Sequence, residues 1–364
     1  MSVKGQTEIA MLKSLHIERF TAFPEAELHF GSDLNVIIGE NGSGKSHLLN
    51  AAYTPIAVGA AKHPEASGAA LPPKPLLQSL LARKLVGVFR PEGLWRLVRR
   101  QRGRSECHLA YRFADPQLDL AFGFSSVERS EVTLDRVPAA RAEKLPVFLP
   151  TRELLSIYPG FVSLYETTQL EFPETWRDTC ILLGAPLARG PREARIKELL
   201  EPLEAAMGGG IVLEPSGRFY LELPSGTMEM QLVAEGLRKL AMIARLIATG
   251  SLLDKGYLFW DEPEANLNPR MVKTIARTIL QTAQSGIQVF IATHSLFLMR
   301  ELHVLQQREF SSLDARCFGL HITPGGVSVQ QGKTMDDIGP IAALDEDLQQ
   351  SARYIDAEAA QSGR

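Results

Sequence analysis

Gly39-Glu40-Asn41-Gly42-Ser43-Gly44-Lys45-Ser46 fits the pattern G-x-x-x-x-G-K-[ST] at every fixed position. Glycines at these places let backbone N–H groups turn inward as an anion cradle, and a helix starting near Lys45 adds the positive end of its dipole. In that arrangement Lys45 reaches the β and γ phosphates of a nucleotide and Ser46 holds Mg²⁺. Glu40, Asn41, Gly42, Ser43 and His47 complete the expected phosphate-contacting stretch. A second run, Tyr257-Leu258-Phe259-Trp260, is apolar and ends in the carboxylates of Asp261 and Glu262. Asp261 is placed to orient Mg²⁺ through its water shell, and Glu262 to polarise an attacking water as general base. Farther on, "VFIATHS" puts His294 at the end of the next expected strand, where it would hydrogen-bond a γ-phosphate.

These side chains need elements that hold them together. "LNVII" reads as a buried strand and "SHLLNAAY" as the start of a helix. Before them, "SLHIERFTAFPEAELHF" reads as two strands. The Pro/Ala/Gly-rich stretch Thr54–Pro75 is expected as a surface loop or lid without regular structure. "CHLAYRF", "LDLAFGFSS" and "SEVTLDRV" suggest an antiparallel meander, and "PVFLPTRELLSIYPGF" a strand, a polar turn and a short helix. Residues 166–207 have a helical pattern, followed by strands joined at Ser-Gly turns. From Glu235 a helix with apolar residues at 237, 240, 243, 244 and 247 opens an alternation of strands and helices that implies βαβ units and a mainly parallel sheet. No internal repeat or sustained heptad is evident.

With 364 residues, 45% of them hydrophobic, the chain can bury a large core. The sequence has no apolar run long enough for a membrane span and no signal-peptide pattern, so a soluble cytoplasmic protein is expected. Cys107, Cys180 and Cys317 are far apart and read as core thiols. The net charge of −3 argues against a globally basic nucleic-acid binder. Charge is nevertheless uneven. Arg83, Lys84, Arg90, Arg96, Arg99, Arg100, Arg102 and Arg104 face the single acid Glu92, and this run either tracks a phosphate backbone or is a solvated helix end and loop. The stretch from Asp336 onward is acidic and is expected to form a tail.

The motifs "IERFTAF", "GENGSGKS", "VAEGLRKLA", "DEPEANLNP" and "ATHS" resemble those of the ATP-binding-cassette type of ATPase. More narrowly they are similar to the soluble branch with the RecF, SMC and OLD-family ATPases, and "LPTRELLSI" favours OLD-like members over transporter subunits. The resemblance implies an α/β fold of ABC-ATPase head type: a mixed, mainly parallel sheet with flanking helices, an antiparallel β subdomain and a helical lobe. It implies one head over residues 1–335, with a nucleotide-binding core at 1–53 and 256–332, an insertion with the basic run at 54–145, a helical and signature lobe at 146–255, and an acidic tail at 336–364. ATP and Mg²⁺ are the implied cofactors. Two chains would close head-to-tail, each presenting Gly236 of its signature helix to the γ-phosphate held by the other.

The signature departs from the family pattern, since Val233-Ala234-Glu235-Gly236 offers an alanine and an acid where a serine and glycine are usual. Thr151, Arg152 and Glu153 are candidates for the hinge between lobes. OLD-type nucleases carry a Toprim domain after the cassette. Only 69 residues follow Ser295, so no nuclease is expected within this chain. The implied function is an ATPase that switches a homodimer or higher oligomer to act on DNA, through the Arg96–Arg104 run, or on a separately encoded effector such as a nuclease or toxin. Anti-phage defence or DNA repair is the implied setting. A nucleotide-gated scaffold with little turnover and a transporter's motor subunit are the alternatives.

Overall fold

The computed structural model describes residues 11–62, 71–100, 103–168, 170–253 and 256–362. The chain opens with the hairpin β1 (Leu12–Phe20) and β2 (Phe23–His29), then β3 (Leu34–Gly39) feeding α1 (Lys45–Ala60). Helix α2 (Lys74–Phe89) leads into β4 (Glu106–Phe113), β5 (Leu120–Ser125), β6 (Thr133–Arg136) and β7 (Val147–Leu149). A helical stretch follows, with α3 (Tyr158–Thr167), α4 (Glu174–Leu183) and α5 (Glu193–Met207), then three short strands, β8 (Gly210–Leu213), β9 (Phe219–Leu223) and β10 (Gly226–Glu229). Next come α6 (Glu235–Ala248), β11 (Gly256–Asp261), α7 (Pro269–Gln284), β12 (Ile287–Thr293) and α8 (Leu296–Arg308). The described chain ends with β13 (Ala315–Thr323), β14 (Gly326–Gly332) and α9 (Ala342–Ser362).

Six strands build the main sheet in the order β14-β13-β3-β12-β11-β7. Every neighbouring pair in it is parallel except the β13–β14 hairpin. A second, antiparallel sheet has the order β2-β1-β4-β5-β6, and a third the order β10-β9-β8. The fold is therefore the mixed, mainly parallel sheet with an antiparallel β subdomain and a helical lobe that the sequence implies.

Strand side chains alternate between faces, and in a sheet covered on both sides each strand feeds two cores. Leu34, Val36, Ile38, Leu258, Trp260, Val289 and Ile291 join the core on the helical-lobe side. Their neighbours Ile37, Tyr257, Phe259, Phe290 and Ala292 join a second core shared with α1, α2 and the antiparallel sheet. Gln288, buried in β12, stitches the sheets together: its Nε2 donates to Leu12 O (2.9 Å) and Gly31 O (2.8 Å), and its Oε1 accepts from Leu12 N.

One expectation changes. The stretch 54–75 is not a loop throughout, because α1 continues to Ala60 and α2 begins at Lys74. Residues 63–70 lie outside the described part. Pro55 sits inside α1, where it cannot donate the bond that Ala51 O would normally receive from the residue four positions on. Tyr111 Oη, fully buried, donates to that carbonyl instead (3.0 Å), so the helix passes through the proline with its acceptor satisfied. The acidic tail is structured: Met335–Ile338 forms a 3₁₀ turn with its Thr334–Asp337 capping box, and 342–362 forms α9.

The basic run is largely engaged within the protein rather than lying as a free stripe. Lys84 pairs with Glu174 (2.9 Å) and Asp178, and Arg96 with Glu92 (2.7 Å). Arg99 donates to Ala22 O and Gly325 O, both at 2.8 Å, while Arg90 donates to Leu170 O. Arg104 lies 3.7 Å from Glu106, Arg100 is exposed, and Arg102 is outside the described residues. Among the described residues no helix is long and apolar enough to cross a membrane.

Candidate nucleotide site

In a parallel sheet, the loops that leave the carboxyl ends of adjacent strands meet at one edge. Here β3 and β11 flank β12, with Ile38 opposite Thr293 and Ala292 opposite Asp261. The segments beginning at Gly39, Glu262 and His294 therefore emerge side by side. The first of these stretches lies more than two hundred residues of chain before the other two, yet the three become one site.

The loop Gly39–Gly44 turns sharply into α1. Gly42 and Gly44 have φ of 84° and 87°, the left-handed region that side chains resist. A Cβ at Gly44 would also lie 3.2 Å from the ring of the fully buried Phe23. We expect Gly44→Ala to weaken Mg·ATP binding about tenfold, since strain of about 1–3 kcal/mol at such a position distorts the cradle. Fluorescent-nucleotide titration checks this.

Lys45 is only 6% exposed, and its ammonium donates to Gly39 O (2.9 Å) and Glu40 O (3.0 Å). Burial lowers its pKa, while Glu262, Asp261 and Glu264 act in the opposite direction. Its charge thus sits at the mouth of the loop among three acids. Burial raises the pKa of Asp261 at the end of β11, and the Ser46 side chain beside it acts in the opposite direction. Asp261 Oδ1 is buried with no partner. An unpartnered carboxylate oxygen beside a serine hydroxyl, next to an anion cradle, is the donor set that octahedral Mg²⁺ takes when phosphates and water complete its shell. Among the described residues no cluster of three or more His, Cys, Asp or Glu could hold a metal without such help. The residues present fit Mg²⁺ carried with a nucleotide.

Glu262 has φ of 48°, which is costly for a residue with a Cβ, and its N–H donates to Ala292 O (2.9 Å). This bend turns the carboxylate toward β12, where Oε1 lies 3.1 Å from His294 Nδ1. Both side chains keep access to solvent. A cleft of about 680 Å³ opens beside them, lined by Gly39, Glu40, Asn41 and His294, with residues of β13, β14 and the start of α9 opposite. His47 faces outward from α1, with its ring 5.7 Å from that of Phe89.

The structure brings Lys45, Ser46, Asp261, Glu262 and His294 together, while Gly236, expected to face a partner chain, lies at the start of α6. A Cβ there would meet Leu267 and Met271, and the neighbouring Glu235 accepts a hydrogen bond from Asn266 Nδ2 (2.9 Å). Of the hinge candidates, Glu153 is buried and pairs with Arg238 Nε (2.7 Å), while Arg152 is exposed.

Two further residues of the site region were missed by sequence reasoning. Glu264 accepts from Thr293 Oγ1 (2.6 Å), and Lys239, fully buried, donates to Ala265 O (2.7 Å). Lys239 had one signal available: it falls three residues after Gly236 and four before Ile243, on the buried stripe of α6.

Residues 191–300 match the family model described as "AAA domain, putative AbiEii toxin, Type IV TA system", and residues 14–52 match one described as "AAA domain". Together these spans include both halves of the site. Among solved structures, the chain is similar to an SMC head bound to the C-winged helix domain of ScpA. The TM-score is 0.53 at 14% identity, over 90% of this chain and 98% of that one. It is also similar to an SMC head domain with an extended coiled coil, bound to the C-terminal domain of ScpA derived from Pyrococcus furiosus (TM-score 0.52, 12% identity, 94% and 99% covered). Sheet order, loop geometry and these likenesses agree: the chain has the fold of an SMC head domain, and its two site-bearing stretches match AAA-domain models.

Proposed function

We propose that the chain binds Mg·ATP in the loop 39–46 and hydrolyses it to ADP and phosphate. The observation that carries this reading is the Glu262–His294 pair, held 3.1 Å apart at the strand edge that also carries Lys45 and the Ser46–Asp261 contact. Glu262 takes a proton from the attacking water, and His294, across from it, positions that water and the γ-phosphate. Lys45 leaves the carbonyls of Gly39 and Glu40 for the β and γ oxygens, so its positive charge offsets the charge of the transferring group. Ser46 and Asp261 would hold Mg²⁺, which neutralises phosphate charge when bound. Gly39, Glu40, Asn41, Gly42, Ser43, Gly44 and His47 line the phosphate and nucleotide contacts.

The cycle serves as a switch: two chains close on nucleotide, with Gly236 and adjacent amides facing the partner's γ-phosphate, and reopen after hydrolysis. The output passes to a separately encoded effector, a nuclease or toxin, in anti-phage defence or DNA repair. Support for an effector comes from the toxin–antitoxin description of the model matched at 191–300, and from the ScpA domains bound to the two SMC heads. DNA contact is the lesser part of this reading, because Arg96, Arg99 and Arg104 already have partners. Steady-state phosphate release from purified chain tests the proposal. Turnover should require Mg²⁺ and fall at least about 100-fold in Lys45→Ala; equal rates in wild type and Lys45→Ala would refute it.

A further inference from the structure

An ammonium group buried to 0% exposure inside a helix-packed core calls for an explanation, because desolvating a cation is costly unless its donors are used. Lys239 is such a group. It lies one turn into α6, and its Nζ points at the bend that follows β11, donating to Ala265 O (2.7 Å) and to Glu262 O (3.4 Å). Burial lowers its pKa to about 8, with Glu264, Glu235, Glu262 and Asp261 opposing that fall.

The bend it holds is strained at both ends. Glu262 and Asn266 have φ of 48° and 62°, conformations that persist only where the surroundings impose them. Between them the backbone closes on itself through Ala265 N to Glu262 O and Leu267 N to Glu264 O, each at 3.1 Å. Three contacts from the first two turns of α6 brace this bend from outside. Glu235 accepts from the Asn266 side chain, Gly236 allows Leu267 and Met271 to pack against the helix backbone, and Lys239 caps the two carbonyls. Glu235 and Lys239 are four residues apart, so they project from the same face of the helix.

We propose that Lys239 and Glu235 are positioning residues for Glu262: they clamp the bend 262–266 to the start of α6 and thereby aim the Glu262 carboxylate. Glu235, the acid that departs from the family's signature pattern, is thus occupied within its own chain. Movement of the α6 N-terminus shifts the general base of the same protomer, because the carbonyl of Glu262 itself is one of the tethered groups. This inference rests on the assignment of Glu262 made above. It adds that the signature helix acts in cis.

Lys239→Met keeps the bulk of the side chain and removes the charge and its donors. Its expected effect is a kcat lower by about 10- to 100-fold, the scale of a small misplacement of a reacting group. KM for Mg·ATP should remain within about twofold of wild type. Glu235→Ala should behave similarly and Glu235→Gln, which keeps the acceptor for Asn266, should retain most activity. A residue that acts only through Glu262 adds nothing once Glu262 is gone. Turnover of Lys239→Met/Glu262→Gln should therefore equal that of Glu262→Gln, and losses that multiply would overturn the proposal.

Native-state hydrogen exchange supplies a readout that needs no catalysis. In Lys239→Met the amides of Ala265 and Leu267 should exchange faster, with those of β12 unchanged. Unaltered protection at Ala265 and Leu267 would overturn the clamp. Absence of ATP turnover in the wild-type chain would refute the hydrolytic function and leave the exchange result to decide the clamp.

Discussion

Glu262→Gln is expected to lower steady-state ATP turnover by about 100- to 1000-fold, within the range that general-base catalysis contributes, while nucleotide binding persists. Glutamine keeps the shape of the side chain and an oxygen facing His294, and the backbone bond from residue 262 to Ala292 O is untouched. What it loses is the ability to accept a proton from water. Lys45, Ser46 and Asp261 remain to hold the nucleotide, so the variant should accumulate in an ATP-bound, closed dimer. Phosphate-release kinetics and light scattering with ATP check both parts. Turnover equal to wild type would mean that another group is the base.

Phe259→Ala should lower stability by about 3–5 kcal/mol, the usual cost of truncating a buried aromatic. Phe259 is fully buried in β11, two residues before Asp261. Its ring stacks on Phe290 of the adjacent strand at 4.8 Å and meets Tyr53 of α1 edge-on at 5.8 Å. Phe148 and Tyr257 stack at longer range. One truncation therefore opens a cavity where α1, which carries the phosphate loop, rests on the strand that carries the two acids. Urea unfolding should show a lower midpoint at unchanged slope. A loss below about 1 kcal/mol would show that the neighbouring rings collapse into the space.

The phosphate loop, the Asp-Glu strand end and the histidine were legible because each is local: a glycine pattern, an apolar run and a spacing can be read without knowing what packs where. The central strands were legible for the same reason, since runs such as "YLFW" and "QVFIA" are apolar on both faces. What sequence reading missed depends on distant partners. Pro55 reads as a helix breaker until Tyr111, 56 positions later, supplies the hydrogen bond that the proline cannot. Arg99 reads as either a phosphate contact or a solvated charge, and only the fold shows its guanidinium on the carbonyls of Ala22 and Gly325. Lys239 falls on the buried stripe of its helix, and only the tertiary structure shows the carbonyls that receive it. In each case a long-range hydrogen bond overrides a local preference.

Calorimetric titration with a non-hydrolysable ATP analogue and Mg²⁺ bears most directly on whether these separated residues form one triphosphate site. One nucleotide per wild-type chain is expected, with binding abolished in Lys45→Ala. A wild-type chain that releases no heat and shows no binding, or a Lys45→Ala variant that binds as tightly as wild type, would contradict it.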